Sequence, residues 1–99
     1  MFVGIDIAKM DHVACAVDER GEKLTRPLPF RNDEGGFAKL ESWIEGLAED
    51  AAEVFVGMEA TGHYWMACFS FLTAAGYACC VVNPMQVRAV RELRSMPRV

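Results

Sequence analysis

A chain of 99 residues, 53% of them hydrophobic, is long enough for one domain with a modest core and too short for two, and it is too apolar to stay disordered. Its formal net charge of −4 taken alone argues against a nucleic-acid binder. No apolar run is long enough to cross a bilayer, and the N-terminus lacks the basic start and small-residue cleavage site of a signal peptide, so the expectation is a cytoplasmic protein with no membrane partner.

Phe2 to Ala8 is a short run rich in Val and Ile and reads as a buried strand. Val13 to Asp18 is a second, and a turn at Glu19-Arg20-Gly21-Glu22 leads to a third near Lys23 to Phe30. Gly21 suits a turn position with positive φ. Three early strands with short connections imply an antiparallel meander. The period then changes: Asn32 or Asp33 can cap a helix in which Phe37, Leu40, Ile44 and Leu47 recur at helical spacing, with Glu41, Glu45 and Glu49 facing outward. The Gly35-Gly36 pair weakens its first turn. Val54 to Met58 reads as a fourth strand. Residues 62–75 read as a mostly buried helix with Trp65, Phe69 and Leu72 on one stripe and Gly76 as its stop. Tyr77 to Val82 is a fifth strand, and Pro84 fits the first turn of a last helix through Val87, Val90 and Leu93.

The order is therefore β-β-β-α-β-α-β-α, an α/β fold in which helices between strands three, four and five imply parallel crossovers onto one mixed sheet. The four cysteines, Cys15, Cys68, Cys79 and Cys80, form no CxxC pair and no zinc spacing. Lying in apolar stretches, they read as buried reduced thiols. Residues 86–99 carry a net +3 through Arg88, Arg91, Arg94 and Arg98 against Glu92, which leaves −7 on the rest of the chain. Such a segment can contact phosphates or be a plain solvated helix face.

Two short stretches repeat one pattern: Val3-Gly4-Ile5-Asp6 and Val56-Gly57-Met58-Glu59. Each is apolar, Gly, apolar, acid, at or near the carboxyl end of a strand. Side chains alternate across a strand, so Asp6 shares a face with Gly4, and Glu59 with Gly57. If the two strands are parallel neighbours about 4.8 Å apart, the glycines leave that face uncrowded and the carboxylates lie side by side. Two such acids repel unless a shared proton or a divalent cation neutralises them. Mg²⁺ or Mn²⁺ prefers oxygen ligands, and a pair of such ions can serve phosphodiester cleavage. The plainer reading of Glu59 is a helix cap. Asp6 is harder to dismiss, because Ile5 and Ile7 flank it within an apolar strand. The pattern by itself does not separate a nuclease from a phosphotransferase.

The stretch from Val3 to Lys9, the block Gly57-Met58-Glu59-Ala60-Thr61-Gly62-His63-Tyr64-Trp65 and the later Val82-Asn83-Pro84 together resemble the N-terminal part of the DEDD transposases of bacterial insertion sequences (the insertion-sequence one-ten or Piv/MooV type). The resemblance implies a ribonuclease-H-like, RuvC-like catalytic domain with four acids and Mg²⁺ or Mn²⁺. Asp6 matches the first acid and Glu59 the second. The other two are expected beyond Val99, and a C-terminal domain with a catalytic serine lies further on. The chain then reads as the front part of that domain, inactive alone. Full-length members of such a family are expected to recombine DNA as homo-oligomers guided by an RNA.

Other residues carry weaker expectations. Thr61 can cap the helix after Glu59, where backbone N–H groups can receive a phosphate. His63 can contact DNA or a metal-bound water, or be a surface or capping histidine, and Tyr64 and Trp65 read as core or interface residues. Lys9 can approach a scissile phosphate or be an ordinary surface lysine. Asp11 reads as part of the turn before strand two, and His12 as structural. Arg88, Arg91 and Arg94 share one side of a helix and form a nucleic-acid-facing stripe or a solvated one. Two competing functions stand beside the transposase reading. One is an actin-like or sugar-kinase ATPase, disfavoured because Ile7-Ala8-Lys9-Met10 offers no Gly or Ser/Thr phosphate turn. The other is a non-catalytic remnant that oligomerises through uncovered apolar surface.

Overall fold

The computed structural model describes residues 1–59 and 62–82. Strand β1 (Phe2–Asp6), β2 (Asp11–Val17) and β3 (Leu28–Arg31) precede helix α1 (Glu34–Leu47) and a single 3-10 turn (Ala51–Glu53). Then come β4 (Phe55–Glu59), α2 (Met66–Ala74) and β5 (Ala78–Val82). The strands form one sheet in the order β3-β2-β1-β4-β5. β1 pairs antiparallel with β2 and β2 with β3, while β4 runs parallel to β1, and β5 to β4. This is the mixed sheet expected from the sequence, and its arrangement is compatible with a ribonuclease-H-like fold. The helix proposed after Pro84, with Arg88, Arg91 and Arg94, lies outside the described residues.

Alternation along the strands decides which face is covered. Val3, Ile5, Ala14, Ala16, Val56 and Met58 are all buried and belong to one core with Phe37, Leu40 and Ile44 of α1 and Cys68 and Leu72 of α2. Helix α1 packs over β3 and α2 over β5, and the two helices meet where Phe37 and Phe71 approach to 5.4 Å between ring centroids. The opposite face carries Phe2, Gly4, Asp6, Val13, Cys15, Phe55, Gly57 and Glu59, and there Phe2 and Phe55 are exposed.

Helix α1 starts where its chemistry allows. Asp33 is the N-cap and its carboxylate accepts the Gly36 N–H at 2.7 Å, satisfying one of the donors that every helix start leaves unpaired. Among the described glycines, Gly36 has the least room for a side chain. A Cβ there would run into the backbone of Arg31, so the glycine lets the first turn of α1 sit directly on the end of β3. Both glycines therefore cost helix propensity, and packing requires the second of them, Gly36. Helix α2 ends as expected: Gly76 has φ +94°, its N–H donates to the Thr73 carbonyl, and the Tyr77 N–H donates to that of Leu72. That pair of bonds is a Schellman motif.

Several boundaries differ from expectation. The third strand begins only at Leu28, and Lys23 makes just an isolated bridge to Val17. Pro29 sits on this edge strand, where a missing N–H is tolerated. Helix α2 begins at Met66, because residues 62–65 form a turn with Gly62 at φ +55°. It buries only Cys68 and Leu72, while Trp65 and Phe69 are partly covered. Asp11 opens β2 opposite Arg31 rather than lying in the preceding turn.

The cysteines also depart from the reading. Cys68 is buried, whereas Cys15, Cys79 and Cys80 are partly exposed. Burial, with Cys79 nearby, pushes the Cys68 thiol up to about 12, and burial, with Glu45 and Glu41 adding to it, raises the Tyr77 hydroxyl in the same direction. A raised folded-state value means that the folded chain keeps a proton the unfolded chain releases. The resulting stabilisation is complete below the ordinary thiol value of 9.0 and is lost as pH rises toward about 12. Unfolding monitored between pH 8 and 11 is expected to show this alkaline loss, reduced in Cys68→Ala. Alkylation at pH 8 followed by mass mapping is expected to label Cys15 and Cys80 in the native protein and Cys68 only after unfolding. Rapid native labelling of Cys68 would contradict the packing described here.

Candidate metal centre

The site is set by strand register. Gly4 lies opposite Gly57, and Ile5 opposite Met58, in the parallel β1–β4 pair. Continuing that register one step brings Asp6 beside Glu59. On their outer sides Asp6 faces Val13 of β2 and Glu59 faces Val82 of β5. A row of Val13, Asp6, Glu59 and Val82 thus crosses the open face of the sheet at the carboxyl ends of its parallel strands. The next row back is made of small side chains: Cys15, Gly4, Gly57 and Cys80. Both acids, both glycines and both valines line one open groove of about 700 Å³.

The glycines do a different job from the one expected. They do not leave the face empty; the Phe2 ring lies over them. A Cβ on Gly57 would come 2.9 Å from the Phe2 ring and one on Gly4 would come 3.5 Å from it. Phe2 in turn stacks on Phe55 with ring centroids 5.9 Å apart. The open face therefore has an aromatic pair at one end, a glycine row beneath it and a pair of acids at the other end. Alternation places the acids and glycines on one face, but which side chain fills the space above Gly57 depends on a neighbouring strand, and no sequence pattern encodes it.

Among the described residues no cluster of three or more His, Cys, Asp or Glu side chains could hold a metal ion. Asp6 and Glu59 are a pair. Two carboxylates are nevertheless a reasonable donor set for a hard divalent cation that keeps several of its waters. Asp6 is exposed and Glu59 half-buried, so the ion would be reached from the open face.

The remaining candidates divide. Lys9 is exposed in the β1–β2 connection, just beyond Asp6, and its carbonyl accepts from the Asn32 side chain at 3.3 Å. His63 is exposed, and its ring lies against that of Tyr64 at 4.6 Å. Trp65 donates through Nε1 to the Gly62 carbonyl, which holds the turn before α2. Thr61 lies outside the described residues. His12 proves wholly buried, in keeping with a structural role. No helix among the described residues is long and apolar enough to cross a membrane.

A mixed five-stranded sheet compatible with a ribonuclease-H-like fold, with two acids side by side across its central parallel strands, defines a class of α/β protein in which ligands commonly bind at the carboxyl ends of the strands. The family model for transposases of the DEDD, insertion-sequence one-ten type matches residues 3–98, and the chain belongs to that family. It is also similar to the pilin gene-inverting proteins of Moraxella bovis and Moraxella lacunata, each 28% identical over 88 residues. The match takes in 89% of this chain and 26% of each relative, so the chain spans about a quarter of their length.

Proposed function

We propose that this chain supplies the first two acids of the catalytic domain of a transposase or recombinase that cleaves and joins DNA strands, with Mg²⁺ or Mn²⁺ held by Asp6 and Glu59. The observation that carries the reading is the register that sets these acids side by side on adjacent parallel strands, with glycine behind each. Like charges at that separation are stable together when a cation lies between them. The ion's role in this class is to neutralise charge on the phosphate oxygens at a breaking phosphodiester. The protein's own contribution is rigidity: both ligands stand on central strands, each hydrogen-bonded on two sides.

Further parts of the proposal follow from family membership. Two more acids and a serine would complete the catalytic apparatus in the rest of a full-length protein. The Moraxella relatives are pilin gene-inverting proteins, which fits DNA as the substrate. A guide RNA and a homo-oligomeric assembly belong to the same reading. Lys9, exposed beyond the end of β1, is assigned to a phosphate contact. Thr61, His63, Arg88, Arg91 and Arg94 are assigned to backbone contacts with nucleic acid.

Paramagnetic titration tests the metal site directly. Isotope-labelled chain titrated with Mn²⁺ is expected to lose NMR signals first at residues 4–8 and 57–59, and Asp6→Asn or Glu59→Gln is expected to abolish the effect. Broadening confined to acids elsewhere, for instance around Glu45 and Glu49, would count against the reading.

A further inference from the structure

Among the described residues His12 is the one polar side chain that is wholly buried. It lies on the helix-covered face of β2 opposite Phe30, whose ring meets the imidazole edge-on with centroids 5.3 Å apart. Its Nδ1 accepts the Ala8 N–H at 3.1 Å. Accepting there assigns the neutral tautomer with the proton on Nε2, and Nε2 is buried with no hydrogen-bond partner. An unpaired buried donor is destabilising, and a leucine would fill this core position without one. What histidine adds at position 12 is Nδ1.

That nitrogen grips the chain two residues beyond Asp6. The β1–β2 ladder ends with Asp6 opposite Val13, and among the described residues the connection that follows is held at three points. The Met10 carbonyl accepts the Asn32 N–H at 2.8 Å, the Lys9 carbonyl accepts from the Asn32 side chain at 3.3 Å, and Ala8 is tied to His12. The two Asn32 bonds secure the far half of the connection, toward β2. Among the described residues, the His12 bond alone secures the half adjoining Asp6.

We propose that His12 is a positioning residue for the metal centre. By holding the Ala8 N–H it fixes the direction of the chain after Asp6, keeps the Asp6 carboxylate in line with Glu59 and carries Lys9 past the end of the strand. The inference rests on Asp6 and Glu59 being metal ligands, as proposed above. Groups that orient a ligand without touching the ion commonly change metal affinity by roughly 10–100-fold.

The test uses the isotope-labelled chain as wild type, His12→Asn, His12→Leu and His12→Gln. Asparagine sets an amide oxygen near the place of Nδ1 and can accept from Ala8. Leucine cannot accept, and glutamine reaches toward the position of Nε2 instead. Backbone order parameters at residues 7–9 are read without metal, and the midpoint of Mn²⁺ broadening at residues 4–8 and 57–59 is read with it. The asparagine variant is expected to keep both. The leucine variant is expected to bring the order parameters from about 0.85 to below about 0.6 and to raise the Mn²⁺ midpoint about tenfold or more. Should the leucine variant fail to fold, the glutamine variant, which keeps a polar group in the core but vacates the Nδ1 position, takes its place with the same expectation. Unchanged order parameters in a variant lacking the acceptor would overturn the inference. So would an unchanged midpoint despite a loosened connection. No broadening in the wild type sinks the metal reading and the inference together, whereas a wild-type signal that the leucine variant leaves intact sinks the inference alone.

Discussion

Replacing Asp6 by Asn, or Glu59 by Gln, in a full-length recombinase containing this chain is expected to abolish DNA strand cleavage and joining while leaving the fold intact. Each substitution preserves shape and removes one negative charge from a pair on adjacent strands. A bound divalent ion contributes several kcal/mol of charge stabilisation in phosphoryl chemistry, so losing it corresponds to about a thousandfold or more in rate. Folding should respond little to the change at Asp6, which is exposed, so the thermal midpoint of metal-free Asp6→Asn should stay close to that of the wild type. Cleavage measured on a DNA substrate with Mg²⁺ and with Mn²⁺, beside a melting curve for each variant, checks both halves. Full activity in either variant would remove that acid from the site. Lost activity with a collapsed melting point would make the residue structural instead.

A second large effect is expected at the start of α1. Gly36→Ala should destabilise the chain by about 3 kcal/mol or more, the upper end of the range for overpacking, because the added methyl meets the Arg31 backbone and no side chain can swing aside. Helix propensity alone would have alanine stabilise the helix by about 1 kcal/mol; the steric term is larger and sets the sign. Gly35→Ala is the control. Its Cβ would meet only the Asp33 carboxylate, at an ordinary 3.6 Å, and the position is exposed, so propensity wins there and the variant should gain up to about 1 kcal/mol. Urea unfolding of the two variants separates the effects. Similar stabilities for both would show that α1 does not rest on β3 as described. For a small domain with a total stability on the order of 5–15 kcal/mol, the Gly36 substitution is enough to depopulate the folded state noticeably.

Strong periodic signals in the sequence translated directly into structure. Phe37, Leu40 and Ile44 recur at helical spacing and are buried in α1, and Gly76 stops α2 with positive φ. Helix α2 was less legible. It is apolar on nearly every side, so periodicity did not separate its covered side from its exposed one, and Met66 is 53% exposed. The third strand is shorter than its residues suggest: Lys23 to Arg26 are compatible with pairing, but Lys23 makes an isolated bridge to Val17 and the continuous strand starts at Leu28. The cysteines were misjudged for a related reason. An apolar neighbourhood in sequence does not say which face of a strand is covered, and Cys15 and Cys80 fall on the open one.

The candidate site was half legible. The repeated pattern of apolar residue, glycine, apolar residue and acid placed Asp6 and Glu59 at strand ends and on the same face as their glycines, because alternation along a strand is a local property of the backbone. His12 was read only as structural, and nothing in the sequence linked it to Asp6. A side-chain bond across a four-residue connection depends on how the chain leaves the ladder.

The sequence by itself determined the order of the described elements and which residues of a strand share a face, each acid with its glycine, since these follow from side-chain periodicity and turn chemistry. Only the tertiary structure decided that β4 enters beside β1 with Gly57 opposite Gly4, that Phe2 covers those glycines and that His12 ties down the chain after Asp6. The physical reason is the same in each case. These contacts join segments whose spacing is set by packing across the sheet, and packing is a property of the assembled layers, which no single segment carries.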